Sequence, residues 1–175
     1  MSNAQNDYFQ LFTLPEQFDI DTKLLEANFR KIQSASHPDR FVSAEATEKL
    51  ASMQLATLSN EAYGTLKNAA RRAKYLLEKQ GIDAVADTNT ALPMDFLMQQ
   101  MEWREQLEDA KAAKDIPAMD KLLSQLRAEA KTLESELSEL FDDKKDYTAA
   151  TEVTRKLIFI DKVCSDIQQA IEYLD

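Results

Sequence analysis

The sequence predicts an all-α protein of two units: short helices around a helical hairpin, then a three-helix bundle. Three observations carry that prediction. Only two glycines and four prolines occur in 175 residues, while charged residues make up 30%. Good helix formers such as Ala, Leu, Glu, Lys and Gln are abundant. Apolar residues recur at helical spacing, and no alternating strand pattern competes with them.

The first helix is expected over residues 8–14, stopped by Pro15, which disfavours α geometry in the residue before it. A second starts after Asp19 or Asp21, either a good N-cap, and runs to about Ser36. Leu24, Leu25, Phe29 and Ile32 mark its inner side. Lys23, Arg30 and Lys31, spaced i, i+7, i+8, gather on an outer face. His37-Pro38-Asp39 then ends the helix, because Pro38 fixes its own φ and pushes His37 out of α geometry. The imidazole and the carboxylate are thereby held on a stiff turn. The third helix is expected over 43–66, with Leu55, Leu58, Ala62 and Leu66 at helical spacing. The fourth covers 68–80 and ends at Gly81, the usual C-terminal stop.

Residues 82–93 are polar and non-periodic and end in Pro93, so they read as the linker between a unit at 1–81 and another at 94–175. The first bundle helix is expected over 94–114. The next starts near Asp115, with Pro117 in its first turn, and runs to about Phe141. It carries Met119, Leu123, Leu126, Ala130, Leu133, Leu137 and Leu140 at alternating steps of four and three. The last starts near Asp146 and shows the same alternation through Val153, Leu157, Ile160, Cys164, Ile167, Ile171 and Leu174. Such seams bury one stripe per helix, and short loops make neighbours antiparallel.

The formal net charge of −10 is uneven. Residues 1–80 balance at ten basic and ten acidic, whereas 81–175 hold eleven basic against twenty-one acidic. This excess argues against nucleic acid or an anionic membrane as the main ligand. No run approaches the roughly 20 apolar residues that span a bilayer. One cysteine, Cys164, excludes an internal disulfide and fits a reducing compartment, with the thiol as a small buried hydrophobe. Catalytic chemistry is missing as well. The single histidine and single cysteine lie far apart, and the only glycines, Gly64 and Gly81, make no phosphate-cradling loop. No enzyme activity, metal or cofactor is expected.

One feature exceeds what a bundle needs. In the helix at 94–114, Phe96, Trp103, Leu107 and Ala110 supply a core stripe. Met94, Leu97, Met98 and Met101 form a second apolar line, which turns acidic through Glu102, Glu105, Glu108 and Asp109. Phe159 sits beside its own seam. These residues read either as an exposed binding patch with an acidic margin or as core of a bundle with a wide stripe.

With His-Pro-Asp set between a basic helix and a long one, residues 1–81 resemble a J-domain, the module that stimulates ATP hydrolysis by DnaK-type heat-shock chaperones. "LSNEAYGTLKNAARRAKYLL" is similar to the later J-domain helices. With "FLMQQMEWREQLEDAK" and "VTRKLIFIDKV" in the acidic bundle, the whole chain resembles the HscB/Jac-type co-chaperones of iron–sulfur cluster assembly. It lacks the glycine/phenylalanine-rich segment and zinc repeats of DnaJ-type proteins.

The resemblance implies a cytoplasmic, non-enzymatic adaptor. His37, Pro38 and Asp39, supported by Lys23, Arg30, Lys31 and Arg40, would engage an HscA-like chaperone. Leu97, Met98, Met101 and Phe159, edged by Glu102, Glu105 and Asp109, would hold an IscU-like cluster scaffold. Ser36 stands where many members have tyrosine, and Met101 where leucine is common. No N-terminal cysteine motif is present, so zinc is not expected, and no Arg- and Ser-rich leader points to a mitochondrial precursor. Two other readings remain: a J-protein serving a different client, or a structural helical protein self-associating through Leu97, Met98 and Met101.

Overall fold

Two local signals, an aspartate before a helix and a left-handed residue after one, recur at the element ends of this chain. The computed structural model describes residues 6–86 and 92–175, and all regular elements among them are helical. The chain divides into two compact units, Met1–Tyr75 and Leu76–Asp175. That division falls within the fourth helix. Of the segment expected as a linker, residues 87–91 lie outside the described residues.

In the first unit, α1 (Tyr8–Leu11) begins at Asp7, whose carboxylate accepts the N–H groups of Phe9 and Gln10. It is shorter than the expected 8–14. Thr13 turns left-handed (φ 54°), and Leu14 N–H bonds back to the Phe9 carbonyl at 2.8 Å. α2 (Thr22–Ala35) is capped by Asp21, not Asp19, through bonds from Lys23 and Leu24 N–H. The 3₁₀ turn Pro38–Phe41 follows, then α3 (Ala46–Lys67) and α4 (Ala69–Lys79). Asn68 breaks the chain between the last two in extended conformation, and its side chain caps α4 by accepting from Arg71 N–H at 2.9 Å.

α2 and α3 pack as the hairpin, with α1 against α3. Phe9, Phe12, Phe18, Leu25, Ala62 and Leu66 are buried in this unit, each large side chain stabilising it by about 1.5–3 kcal/mol. Phe29 stacks on Tyr63 at 4.1 Å. Two expected core positions are corrected: Leu24 and Leu55 are exposed. On α3 the buried stripe runs through Ser52, Ser59, Ala62 and Leu66, so two serines occupy places where the sequence reading looked for leucine.

The second unit holds α5 (Met94–Ala112), α6 (Ile116–Ser138) and α7 (Tyr147–Leu174). α6 and α7 form the main antiparallel pair, and α5 packs on both. Asp115 and Asp146 cap α6 and α7 by accepting from Ala118 and Ala149 N–H. A wider π turn, Glu139–Asp143, replaces the expected end of α6 and buries the adjacent Leu140 and Phe141. The expected seams are buried at Met119, Leu123, Leu126, Leu133, Leu137, Val153, Leu157, Ile160 and Ile167. Ala130, Cys164, Ile171 and Leu174 are only half-buried.

Gly81 and Lys114 end α4 and α5 in the same hydrogen-bond pattern. Gly81 has φ 76° with Ile82 N–H on the Leu77 carbonyl, and Lys114 has φ 52° with Asp115 N–H on the Ala110 carbonyl. A Cβ at Gly81 would meet nothing within 4 Å, so only the backbone opposes one there. Gly81→Ala is therefore expected to cost about 1 kcal/mol and Lys114→Gly to gain about 0.5 kcal/mol, read from urea unfolding midpoints. A second expectation concerns Thr154, which is fully buried with a hydroxyl that has no hydrogen-bond partner among the described residues. Thr154→Val keeps the shape and removes the desolvated group, so unfolding free energy rises by about 1 kcal/mol.

Candidate functional site

Pro38 provides no N–H, and within the turn two short-range bonds set the placement of His37 and Asp39. Arg40 N–H donates to the His37 carbonyl at 3.0 Å, and Asp39 N–H to His37 Nδ1 at 3.3 Å. The Asp39 carboxylate stands 3.5 Å from the same Nδ1. An imidazole nitrogen that accepts from an amide carries no proton, while one that donates to a carboxylate must carry one, so the two contacts compete. The side chains of His37 and Asp39 are 56% and 88% exposed, so both are presented to solvent.

Lys23, Arg30, Lys31 and Arg40 are all exposed. The face of α2 is less purely cationic than its spacing implies. Arg30 Nη2 lies 2.6 Å from Glu26 Oε1, one turn back, and both side chains are largely in water. Such a pair is worth little to stability, but it aligns the guanidinium along the helix.

In the second unit the core stripe of α5 is complete as expected, with Phe96, Trp103, Leu107 and Ala110 buried. The second apolar line is outside it. Met94 is 71% exposed, Met98 65%, Met101 72% and Leu97 37%. The wide-core reading therefore fails for these four residues. Met98 and Met101 are neighbours at i, i+3 on the outer face, and Glu102, Glu105 and Asp109 continue it, all exposed. Gln106 Nε2 donates to Glu102 Oε1 at 3.4 Å.

Phe159 is placed differently. It is half-buried in the seam between α5 and α7, with its ring 6.2 Å from Phe96 and 6.5 Å from Trp103. The Arg104 guanidinium lies 5.2 Å from its ring centre. A groove of about 310 Å³ passes this ring, lined by Leu92, Gln100, Arg104, Arg155, Ile158 and Lys162 among others. At about 100° per residue, Leu97 falls between Arg104 and Met101 on the helix circumference. The apolar line is thus fringed by carboxylates on one side and by guanidinium and ammonium groups on the other. Arg104 stands at i, i+7 from Leu97, a relation that periodicity of the apolar residues alone does not display.

Cys164 is half-buried rather than sealed, and burial, partly offset by Arg127 and reinforced by Asp161, pushes its thiol above the usual value. It is a poor nucleophile there.

Comparison with known proteins decides the family. Residues 92–168 match the model described as HSCB C-terminal oligomerisation domain. The co-chaperone protein HscB homolog of Paraburkholderia phymatum is 47% identical over 175 residues, covering 100% of this chain and 99% of that protein. The homolog of Ralstonia nicotianae is 46% identical with the same coverage. The chain belongs to the HscB co-chaperone family. Among solved structures, the HscB chaperone of Vibrio cholerae is 36% identical with a TM-score of 0.80, covering 97% of this chain and 99% of that one. Human co-chaperone HscB is 30% identical with a TM-score of 0.85, covering 95% and 83%. The all-helical architecture of an N-terminal J-domain followed by a C-terminal helical domain is the HscB one. HscB relatives are named co-chaperones, not enzymes. Among the described residues of this HscB-family chain, no helix is long and apolar enough to cross a membrane.

Proposed function

We propose that this co-chaperone is a cytoplasmic adaptor that brings an IscU-like iron–sulfur scaffold to an HscA-like, DnaK-type chaperone and stimulates its ATPase. In this reading the J-domain, residues 1–81, addresses the chaperone, and the bundle at 94–175 holds the scaffold. The observation that carries it is the surplus on α5: Leu97, Met98 and Met101 face water although the core of that helix is complete without them. Exposed apolar surface of this kind marks an interaction site, and methionines adapt to a partner's shape.

The rest of the assignment follows from charge. Asp39 offers an anion on a stiff turn for a cation of the chaperone, while Lys23, Arg30, Lys31 and Arg40 steer an acidic surface towards it. Glu102, Glu105 and Asp109 fit a scaffold with basic residues around an apolar contact. Arg104, beside Phe159, fits an acidic group at the other edge.

The test is the ATPase rate of a purified HscA-type chaperone alone, with this protein, with scaffold, and with both. Stimulation by this protein that rises further with scaffold is the expected result, and a rate unchanged by this protein would overturn the reading. The matched family's description as an oligomerisation domain supports one rival, self-association through the same methionines. Sedimentation showing a dimer that scaffold cannot dissociate would favour it.

A further inference from the structure

The end of α2 leaves one carbonyl that its own turn cannot serve. Ser36 caps the helix, is 3% exposed, and directs both its N–H and its Oγ to the Ile32 carbonyl, at 2.9 and 2.8 Å. Its own carbonyl needs a donor, since a buried unpaired carbonyl is costly. The next residues have none to give. Pro38 has no N–H, Asp39 N–H goes to His37 Nδ1, and Arg40 N–H goes to the His37 carbonyl. The donor arrives from α3: Ser52 Oγ bonds the Ser36 carbonyl at 2.9 Å, across sixteen residues of sequence, and Ser52 is itself buried.

We infer that Ser52 is a positioning residue for the His37-Pro38-Asp39 turn, fixing its root to α3 so that the exposed imidazole and carboxylate keep one orientation. The inference about geometry stands alone, and its consequence for ATPase stimulation rests on the proposed function. No other bond described between α3 and the peptide preceding the turn does this work. With the Ser52 hydroxyl gone, the Ser36 carbonyl must rotate towards water or take the Arg40 N–H, and either change dissolves the 3₁₀ turn.

Ser59 provides a matched control. It lies on the same helix and is buried, but its hydroxyl bonds the Ala56 carbonyl of its own helix at 3.1 Å. In Ser52→Ala, amide exchange at Asp39 and Arg40, followed by NMR, is expected to accelerate about tenfold, the factor a lost buried hydrogen bond carries. Maximal chaperone stimulation falls with it. Ser59→Ala leaves both at wild-type values, and Ser52→Thr, which keeps the hydroxyl, restores them. Should Ser52→Ala fold too poorly to measure, Ser52→Cys keeps the volume while donating only weakly. Wild-type exchange at Asp39 and Arg40 in the hydroxyl-free variant, or equal acceleration in Ser59→Ala, would overturn the inference. The exchange measurement needs no chaperone, so it judges the clamp even if Asp39→Asn proves harmless to stimulation and the functional reading falls.

Discussion

Asp39→Asn is expected to remove ATPase stimulation of the chaperone while leaving the protein folded. The carboxylate is 88% exposed, and its contact to His37 Nδ1 at 3.5 Å lies in water. Losing it changes unfolding free energy by less than about 0.5 kcal/mol, as for other surface groups. What it removes is the negative charge available to a partner cation. A charge-assisted hydrogen bond in a desolvated contact is worth about 1.5–3 kcal/mol, so coupling falls roughly 10- to 150-fold. Asparagine keeps the size, the turn propensity and one acceptor oxygen, so a loss in this variant reports charge and not shape. His37→Gln tests the neighbouring group and is expected to lose stimulation too, since Asp39 N–H then lacks its Nδ1 acceptor. Both variants are to be read against thermal unfolding, and stimulation within twofold of wild type by Asp39→Asn would exclude the turn from the mechanism.

Why the turn was legible in the sequence and the groups holding it were not is a matter of range. A proline, an aspartate N-cap or a left-handed glycine acts within a few residues, so Pro38, Gly81, Asp115 and Asp146 declared their element ends, and Asp21 was one of two candidate caps. Long helices with steps of three and four declared their seams, and Trp103 and Ile160 are buried where the period put them. Ser52 obeys no such period. A serine at a core position reads as a weak point until the partner carbonyl from another helix is known. The same holds for Leu24 and Leu55, whose spacing fits a core stripe but whose faces turn to water. α2 and α3 each bury a stripe narrower than their apolar content, and only packing decides which edge is left out. In the bundle, composition could not separate a second apolar line from a broad core. The decision came from exposure: Phe96, Trp103, Leu107 and Ala110 are buried on α5, while Met94, Leu97, Met98 and Met101 are exposed.

The methionines and Phe159 are expected to separate by what their loss does to folding. Met98→Ala and Met101→Ala remove side chains that are 65% and 72% exposed, so their unfolding midpoints stay at wild type. Scaffold affinity, by titration calorimetry, is expected to drop by about 1–3 kcal/mol for each anchor, a roughly 5- to 150-fold change. Phe159→Ala instead deletes a ring set against Phe96, Trp103 and the Arg104 guanidinium. It is expected to lower unfolding free energy by about 1–3 kcal/mol as well as weaken binding, because aromatic packing and the shape of the groove are lost together. Raising salt weakens wild-type binding through Glu102, Glu105 and Arg104, but leaves the methionine increment intact, since dispersion and desolvation are not screened. Unchanged affinity in Met98→Ala and Met101→Ala together, with loss confined to Phe159→Ala, would move the scaffold contact off the outer face of α5 and into the Arg104–Phe159 groove.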